Sequence, residues 1–209
     1  MTQPPVPTGP TGPTPQDGAP EPQEVRTVTE AKALAALANP YRARLMDALK
    51  VDGPSTASAL ARRTGQAVGS ASHHLKVLHD AGLVAEAPEL ARDRRERWWR
   101  LVAPRLRWSR QEFAADAAAV TAAQAAEALH LQRQFDRVRE WQANAESAPG
   151  WDGAAFATET WVHLSPAELA ALGEEITAVL VRWAERPQPD DGVEREPVLV
   201  FGRGFPAQP

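Results

Sequence analysis

Apolar positions recur at helical spacing from Thr29 onward, and glycine or proline interrupts them at short intervals. Leu34 and Leu37 lie three apart in an Ala-rich run, which predicts a first helix. Asn39-Pro40 reads as a cap followed by proline at the first helical position. A second helix is therefore expected over residues 40 to about 50, with Leu45, Met46 and Leu49 on its buried face. Asp52-Gly53-Pro54 breaks it. Ser55 or Thr56 can cap a third helix carrying Leu60 and Ala61, and Gly65 ends that helix. A fourth is predicted over residues 68–80, with Ala71, Leu75 and Leu78 as its buried stripe and Gly82 as its stop. Leu83 to Ala85 reads as a short strand, residues 86–96 as a polar loop, and residues 97–102 as a second strand.

Short helices followed by strand, charged loop and strand make a winged helix-turn-helix over residues 27–104, its third and fourth helices forming the turn motif and its loop the wing. Ser109-Arg110-Gln111-Glu112 is a capping box just before Phe113. A helical pattern then runs to about residue 145 without Gly or Pro, through Phe113, Ala117, Val120, Gln124, Leu131, Phe135, Val138 and Trp141. A helix of roughly 50 Å, at about 1.5 Å per residue, is longer than a small domain covers. It needs a second surface, and the simplest source is another subunit, so residues 105–147 are expected to be a long dimerisation helix.

Residues 155–164 alternate, with Phe156, Thr158, Thr160, Val162 and Leu164 on one side, and read as a strand. Ser165-Pro166-Ala167-Glu168 is a further capping box, opening a helix that uses Leu169, Leu172, Ile176, Val179, Leu180 and Trp183. Residues 197–202 look like a final strand, paired with the first or with a partner chain. The expected fold is thus mainly α with a small β wing: a winged helix-turn-helix, the long helix, and a small C-terminal α+β unit over residues 148–209. Residues 1–26 read as a disordered Pro-rich tail, with eight prolines by residue 22. Its alternative role is a partner-binding polyproline segment.

The net charge of -4 over 209 residues conceals an asymmetry. Residues 41–110 hold 14 Lys or Arg against 7 Asp or Glu, a net of +7, and the remainder carries -11. One block is built to meet a polyanion. There is no Cys, which excludes disulfides, thiolate metal sites and cysteine catalysis. No apolar run is long enough to span a membrane, and the start MTQPPVPTGP has neither a positive n-region nor an apolar h-region. A soluble, cytoplasmic protein is expected. Five scattered His and no G-x-S-x-G, H-E-x-x-H or phosphate-cradling loop argue against an enzyme, and no cofactor is expected.

The string GQAVGSASHHLKVL from Gly65 to Leu78, followed by Ala81-Gly82-Leu83-Val84, resembles the ArsR-like (arsenic-repressor type) winged-helix regulators, in their longer subtype with a C-terminal extension. Ala38-Asn39-Pro40 with Arg42 and Arg44, and the strand Arg97-Trp98-Trp99-Arg100-Leu101, carry the same likeness. The resemblance implies a homodimeric repressor on double-stranded DNA. Ala67 stands where the family often has a capping hydroxyl, and Gly69 where a polar contact residue is common. Many members sense metals. Here there is no Cys, and Asp116 and His130 lie fourteen residues apart with no second His nearby, so no metal site is expected.

The fourth helix should enter the major groove, presenting Gln66, Gly69, Ser70, His73 and Lys76, with Ser72 at or beside a phosphate. His74, next to the buried stripe, reads as a packed, hydrogen-bonded structural residue. Arg62 and Arg63 either favour the negative end of the third helix or approach the DNA backbone. Arg92, Arg94, Arg95 and Arg97 surround the wing. They read as phosphate or minor-groove contacts, the alternative being a solubilising loop. One of Trp98 and Trp99 should pack on the helices. In the C-terminal unit, Phe156, Trp161, Val162, Trp183 and Phe201 are candidates for an apolar effector pocket, with an ordinary core as the alternative. Clamping a dimer or binding a protein effector are competing roles for the unit. A winged helix used only for protein contacts is the rival to DNA binding, and the Arg-rich wing argues against it.

Overall fold

The computed structural model describes residues 25–93, 96–108, 113, 116–151 and 153–208. Those residues fall into two compact units, one up to Glu140 and one from Trp141 on. The fold is mainly α-helical with a small β wing, a long helix, and a C-terminal helix beyond the winged core.

The first unit runs β1 (Val25–Thr27), α1 (Ala31–Leu37), α2 (Pro40–Asp52), β2 (Ser55–Thr56), α3 (Ala57–Thr64), α4 (Val68–Asp80), β3 (Val84–Glu86), β4 (Trp98–Leu101) and β5 (Arg105–Arg107). The helix starts and stops follow the local chemistry. Asn39 Oδ1 accepts the amides of Tyr41 and Arg42 at 3.0 and 3.1 Å, and Pro40 opens α2. Thr56 Oγ1 accepts the amide of Ala59 at 3.3 Å, and Gly65 closes α3 at φ 66°, in the left-handed region. The Arg42 guanidinium donates to the carbonyls of Ala36 (2.6 Å) and Ala35 (3.0 Å), satisfying groups that the end of α1 leaves open.

Apolar stripes of all four helices meet in one core. Leu34, Leu45, Leu60, Leu75, Leu78 and Leu83 have almost no exposure. Trp99 of β4 reaches this core, and its indole stands nearly perpendicular to the His79 ring, centroids 5.8 Å apart. Strand β4 lies between β2 and β3, antiparallel to both, with Trp99 opposite Ser55 and Glu86. A second, parallel pair joins β1 to β5, Val25 opposite Arg105. Neither β2 nor the β1–β5 pair was expected, and β1 places Val25 and Arg26 in a strand rather than in the tail. Residues 1–24, where the rest of that tail reading falls, lie outside the described residues.

The long helix, α5 (Ala117–Asn144), is present but rotated from the expected stripe. Its cap is Asp116, whose Oδ1 accepts the amides of Ala118 (2.9 Å) and Ala119 (3.2 Å). The expected capping box at 109–112 lies outside the described residues. Phe113 is buried as expected, but along α5 the buried positions are Ala119, Ala123, Ala126 and Gln134. Ala117, Gln124 and Phe135 face solvent instead. The physical reason is fit: the small Ala119 and Ala123 join the winged core, and bulky Phe135 is left outside. Asp47 of α2 fastens α5, its carboxylate accepting from both Arg133, at 2.5 Å, and Arg137.

In the second unit Ser165 and Glu168 form the expected capping box before α6 (Pro166–Glu185), with reciprocal bonds of 3.3 and 2.7 Å. The bond from the Ser165 amide holds the Glu168 carboxyl below its usual range. The strands expected at 155–164 and 197–202 are a correction. Neither segment is laddered among the described residues. Alternation marks a segment able to be a strand, but a strand exists only when another pairs with its amides and carbonyls.

Candidate nucleic-acid interface

Helix α4 has two clearly separated sides. Ala71, Leu75 and Leu78 are fully buried, whereas Gly69, Ser70, Ser72, His73 and Lys76 are exposed. The 3.6-residue period puts Gly69, His73 and Lys76 on the face away from the core. Ala67 leaves the first turn of α4 without a side-chain cap, so its open amides and positive dipole end stay available to an anion.

The imidazole pair extends sideways from this helix. His74 is half-buried and stacks flat on Tyr41, ring centroids 5.7 Å apart at 5°. It also meets His73 at 5.5 Å, and Arg44 lies 5.2 Å over the other partner's ring, that of Tyr41. His74 is packed as expected but is not hydrogen-bonded: its buried Nδ1 has no partner among the described residues. Burial pushes its pKa down, and the charges of Arg42 and His73 lower it further. Exposed Tyr41 and Arg44 adjoin the candidate surface, though Arg44 entered only through the family likeness and Tyr41 not at all. An aromatic between Pro40 and Arg42, at the exposed start of a helix, was the available signal.

Other candidates divide into free and engaged. Arg62, Lys76 and Arg92 are exposed and form no ion pair among the described residues. Arg63 is bonded to Asp52 at 2.9 Å, across the break between α2 and α3. Gln66 is half-buried, its amide donating to Thr64 Oγ1 (2.9 Å) and the Tyr41 carbonyl (3.4 Å). That amide ties the turn to α2 instead of reaching outward. Arg97 is exposed and loosely paired with Glu86 at 3.8 Å. Arg94 and Arg95 lie outside the described residues. Trp98 stays half-buried, its indole N–H donating to Glu96 at 3.2 Å.

A family model described as a helix-turn-helix domain matches residues 37–87, from the end of α1 to just beyond β3. The chain carries a winged helix-turn-helix domain, and its likeness to the ArsR-family regulators is partial and at low identity. A solution structure with 30% sequence identity is the homodimeric winged helix-turn-helix DNA-binding domain (fragment 1–100) of a possible ArsR-family transcriptional regulator from Mycobacterium bovis. The match covers 35% of this chain and 64% of that one, with a TM-score of 0.31. No curated protein matches the chain.

The five residues suggested for an effector pocket, Phe156, Trp161, Val162, Trp183 and Phe201, are exposed, and two concavities among the described residues are lined by others. The one in their unit, about 670 Å³ and open, is bordered by Glu174, Val181 and Arg186 on another side of α6. Among the described residues, no group of three or more His, Asp or Glu is placed to hold a metal ion, and no helix is long and apolar enough to cross a membrane.

Proposed function

We propose that the protein is a sequence-specific regulator of transcription that binds double-stranded DNA, acting as a homodimeric repressor on an inverted repeat. The observation that carries this reading is the division of α4, which buries only its apolar stripe and leaves Gly69, Ser70, Ser72, His73 and Lys76 in water. In a major groove, His73 reads base edges and Lys76 and Ser72 meet phosphate. Arg62 and the wing arginines Arg92, Arg94, Arg95 and Arg97 add phosphate or minor-groove contacts. The outer face of α5, with Phe135 exposed and Leu131 and Val138 half-exposed, is the surface for the second copy.

Fluorescence anisotropy on duplexes selected from genomic DNA tests the reading. Affinity should fall steeply with salt, and Lys76→Ala should reduce the slope of log affinity against log salt by about one while weakening all duplexes alike. His73→Ala should instead change which duplexes are preferred. Absence of salt-sensitive binding to every duplex refutes the proposal.

A further inference from the structure

From Trp141 on, no side chain is buried among the described residues. Yet this unit is rich in large apolar groups. The stripe Leu172, Ile176, Val179 and Trp183 runs along α6 at helical spacing, contains no charge, and lies 38–59% exposed. Of the two segments flanking α6, 155–164 alternates and 197–202 is a continuous apolar run, and neither has a ladder among the described residues. A globular unit with these residues has a core to build and does not build it within one chain.

We propose that a second copy of this chain covers the C-terminal unit, the segments 155–164 and 197–202 of the two copies completing one sheet over a shared apolar core with both α6 stripes. The inference deepens the homodimer proposed above, but it rests on the C-terminal unit alone and not on DNA binding.

Three observations select a second copy as the occupant. The first is area. Phe156, Trp161, Trp183, Phe201 and Phe205 are 76, 61, 59, 36 and 70% exposed. At about 200 Å² for a whole aromatic side chain, they alone leave on the order of 600 Å² of apolar surface. The aliphatic residues raise this to roughly 1,000 Å² per chain, so two copies would bury an area typical of permanent interfaces. A surface of that size needs a partner always present in equal amount, and the chain itself is that partner. The second is charge. Residues 141–209 carry 11 acidic against 4 basic residues, which excludes nucleic acid as the cover, while the α6 stripe itself has no charged member, Arg186 lying over the ring of its Trp183 at 4.4 Å. The third is symmetry. Two unpaired strand-forming segments in one chain are four in a pair, and a two-fold axis lets each find a partner.

The chain has no Cys, so one introduced thiol is unique. A benzophenone attached at Thr160→Cys, or at Gly202→Cys as an independent site, is photolysed in protein unfolded and refolded from an equal mixture of separately expressed, isotopically light and heavy chains. Thr160 is exposed, and a side chain at Gly202 would meet Ile176 at an ordinary 3.5 Å. The expected products are light–heavy crosslinks into residues 155–209, at about half of all interchain products, the statistical share. Trp183→Asp should abolish them. Crosslinks found only within single chains, or no crosslink at either position, overturn the inference. Light–heavy crosslinks confined to α5 overturn it too, while leaving the α5-mediated dimer standing.

Discussion

The Asp47 carboxylate is the polar fastening between α2 and α5, and removing it has a cost that follows from the surroundings. Its Oδ2 accepts from Arg133 and Arg137, whose side chains are 15% and 39% exposed, and is itself on a side chain 32% exposed. Asp47→Asn keeps the shape and deletes the charge. Arg133 then stays largely covered without its counter-ion. Burial already lowers its pKa, and the Asp47 charge is the influence that opposes this. A charged hydrogen bond contributes about 1.5–3 kcal/mol, and breaking a fully buried pair costs about 3–5 kcal/mol. Arg137, more than a third exposed, adds little after solvent screening. The expected loss is about 2 kcal/mol, read as a lower urea midpoint at unchanged slope. Because Arg133 is covered, about 0.5 M salt should leave most of the loss in place. The double variant Asp47→Leu with Arg133→Met should recover most of it, since an apolar pair leaves no charge stranded. A loss below about 0.5 kcal/mol, or one that salt abolishes, would show that the cluster is an ordinary surface ion pair.

Gly65→Ala should destabilise the first unit by about 1 kcal/mol through backbone strain alone, because Gly65 sits at φ 66° and nothing lies within 4 Å of the added carbon. Thermal unfolding measures it, and an unchanged midpoint contradicts the assignment. His74 has a folded pKa below its unfolded value, so its contribution to stability is complete above the ordinary imidazole value of about 6.5 and is lost as pH falls through the lower, folded value. His74→Phe preserves the stack on Tyr41 and should flatten that part of the urea-midpoint profile, at and below about pH 6.5. Parallel profiles for the two proteins would remove the imidazole from the account.

Helices α1 to α4 were legible in the sequence because stripe and punctuation agree at each: Leu45, Met46 and Leu49 between Pro40 and Gly53, or Ala71, Leu75 and Leu78 before Gly82. The exposed side of α4 follows from the same period. What could not be read are matters of partnership. Strand β1 exists because three residues far from β5 in the chain lie beside it, and nothing local marks either. Along α5, alanine and bulky residues are both apolar, so periodicity traces one stripe that mixes them and cannot say which positions the chain's own helices cover. Size decides it: Ala119, Ala123 and Ala126 fit against the domain and Phe135 does not. At the candidate site, the inward tie of Gln66 and the pairing of Arg63 with Asp52 depend on contacts across elements, which residue type alone does not announce.

The two faces of α5 give the proposed regulator a mechanical consequence. The inner face meets the winged helix through Ala119 and Ala123, which join its buried core, and through the Asp47 carboxylate. Helix α2 packs directly on α4, and its Tyr41 lies flat on His74. In the proposed dimer, a second copy seated on the outer face of α5 would be linked to α4 through the side-chain contacts of α5 with α2 and the packing of α2 on α4. Half-site spacing is then a property of the α5 contact, and loosening Asp47 should blur the preference for one spacing while leaving each α4 able to read its own half-site. Duplexes with half-sites moved apart in single-base steps separate the two effects. The intact chain should prefer one spacing sharply and Asp47→Asn should accept several, whereas equal sharpness in both would mean that the spacing is set elsewhere.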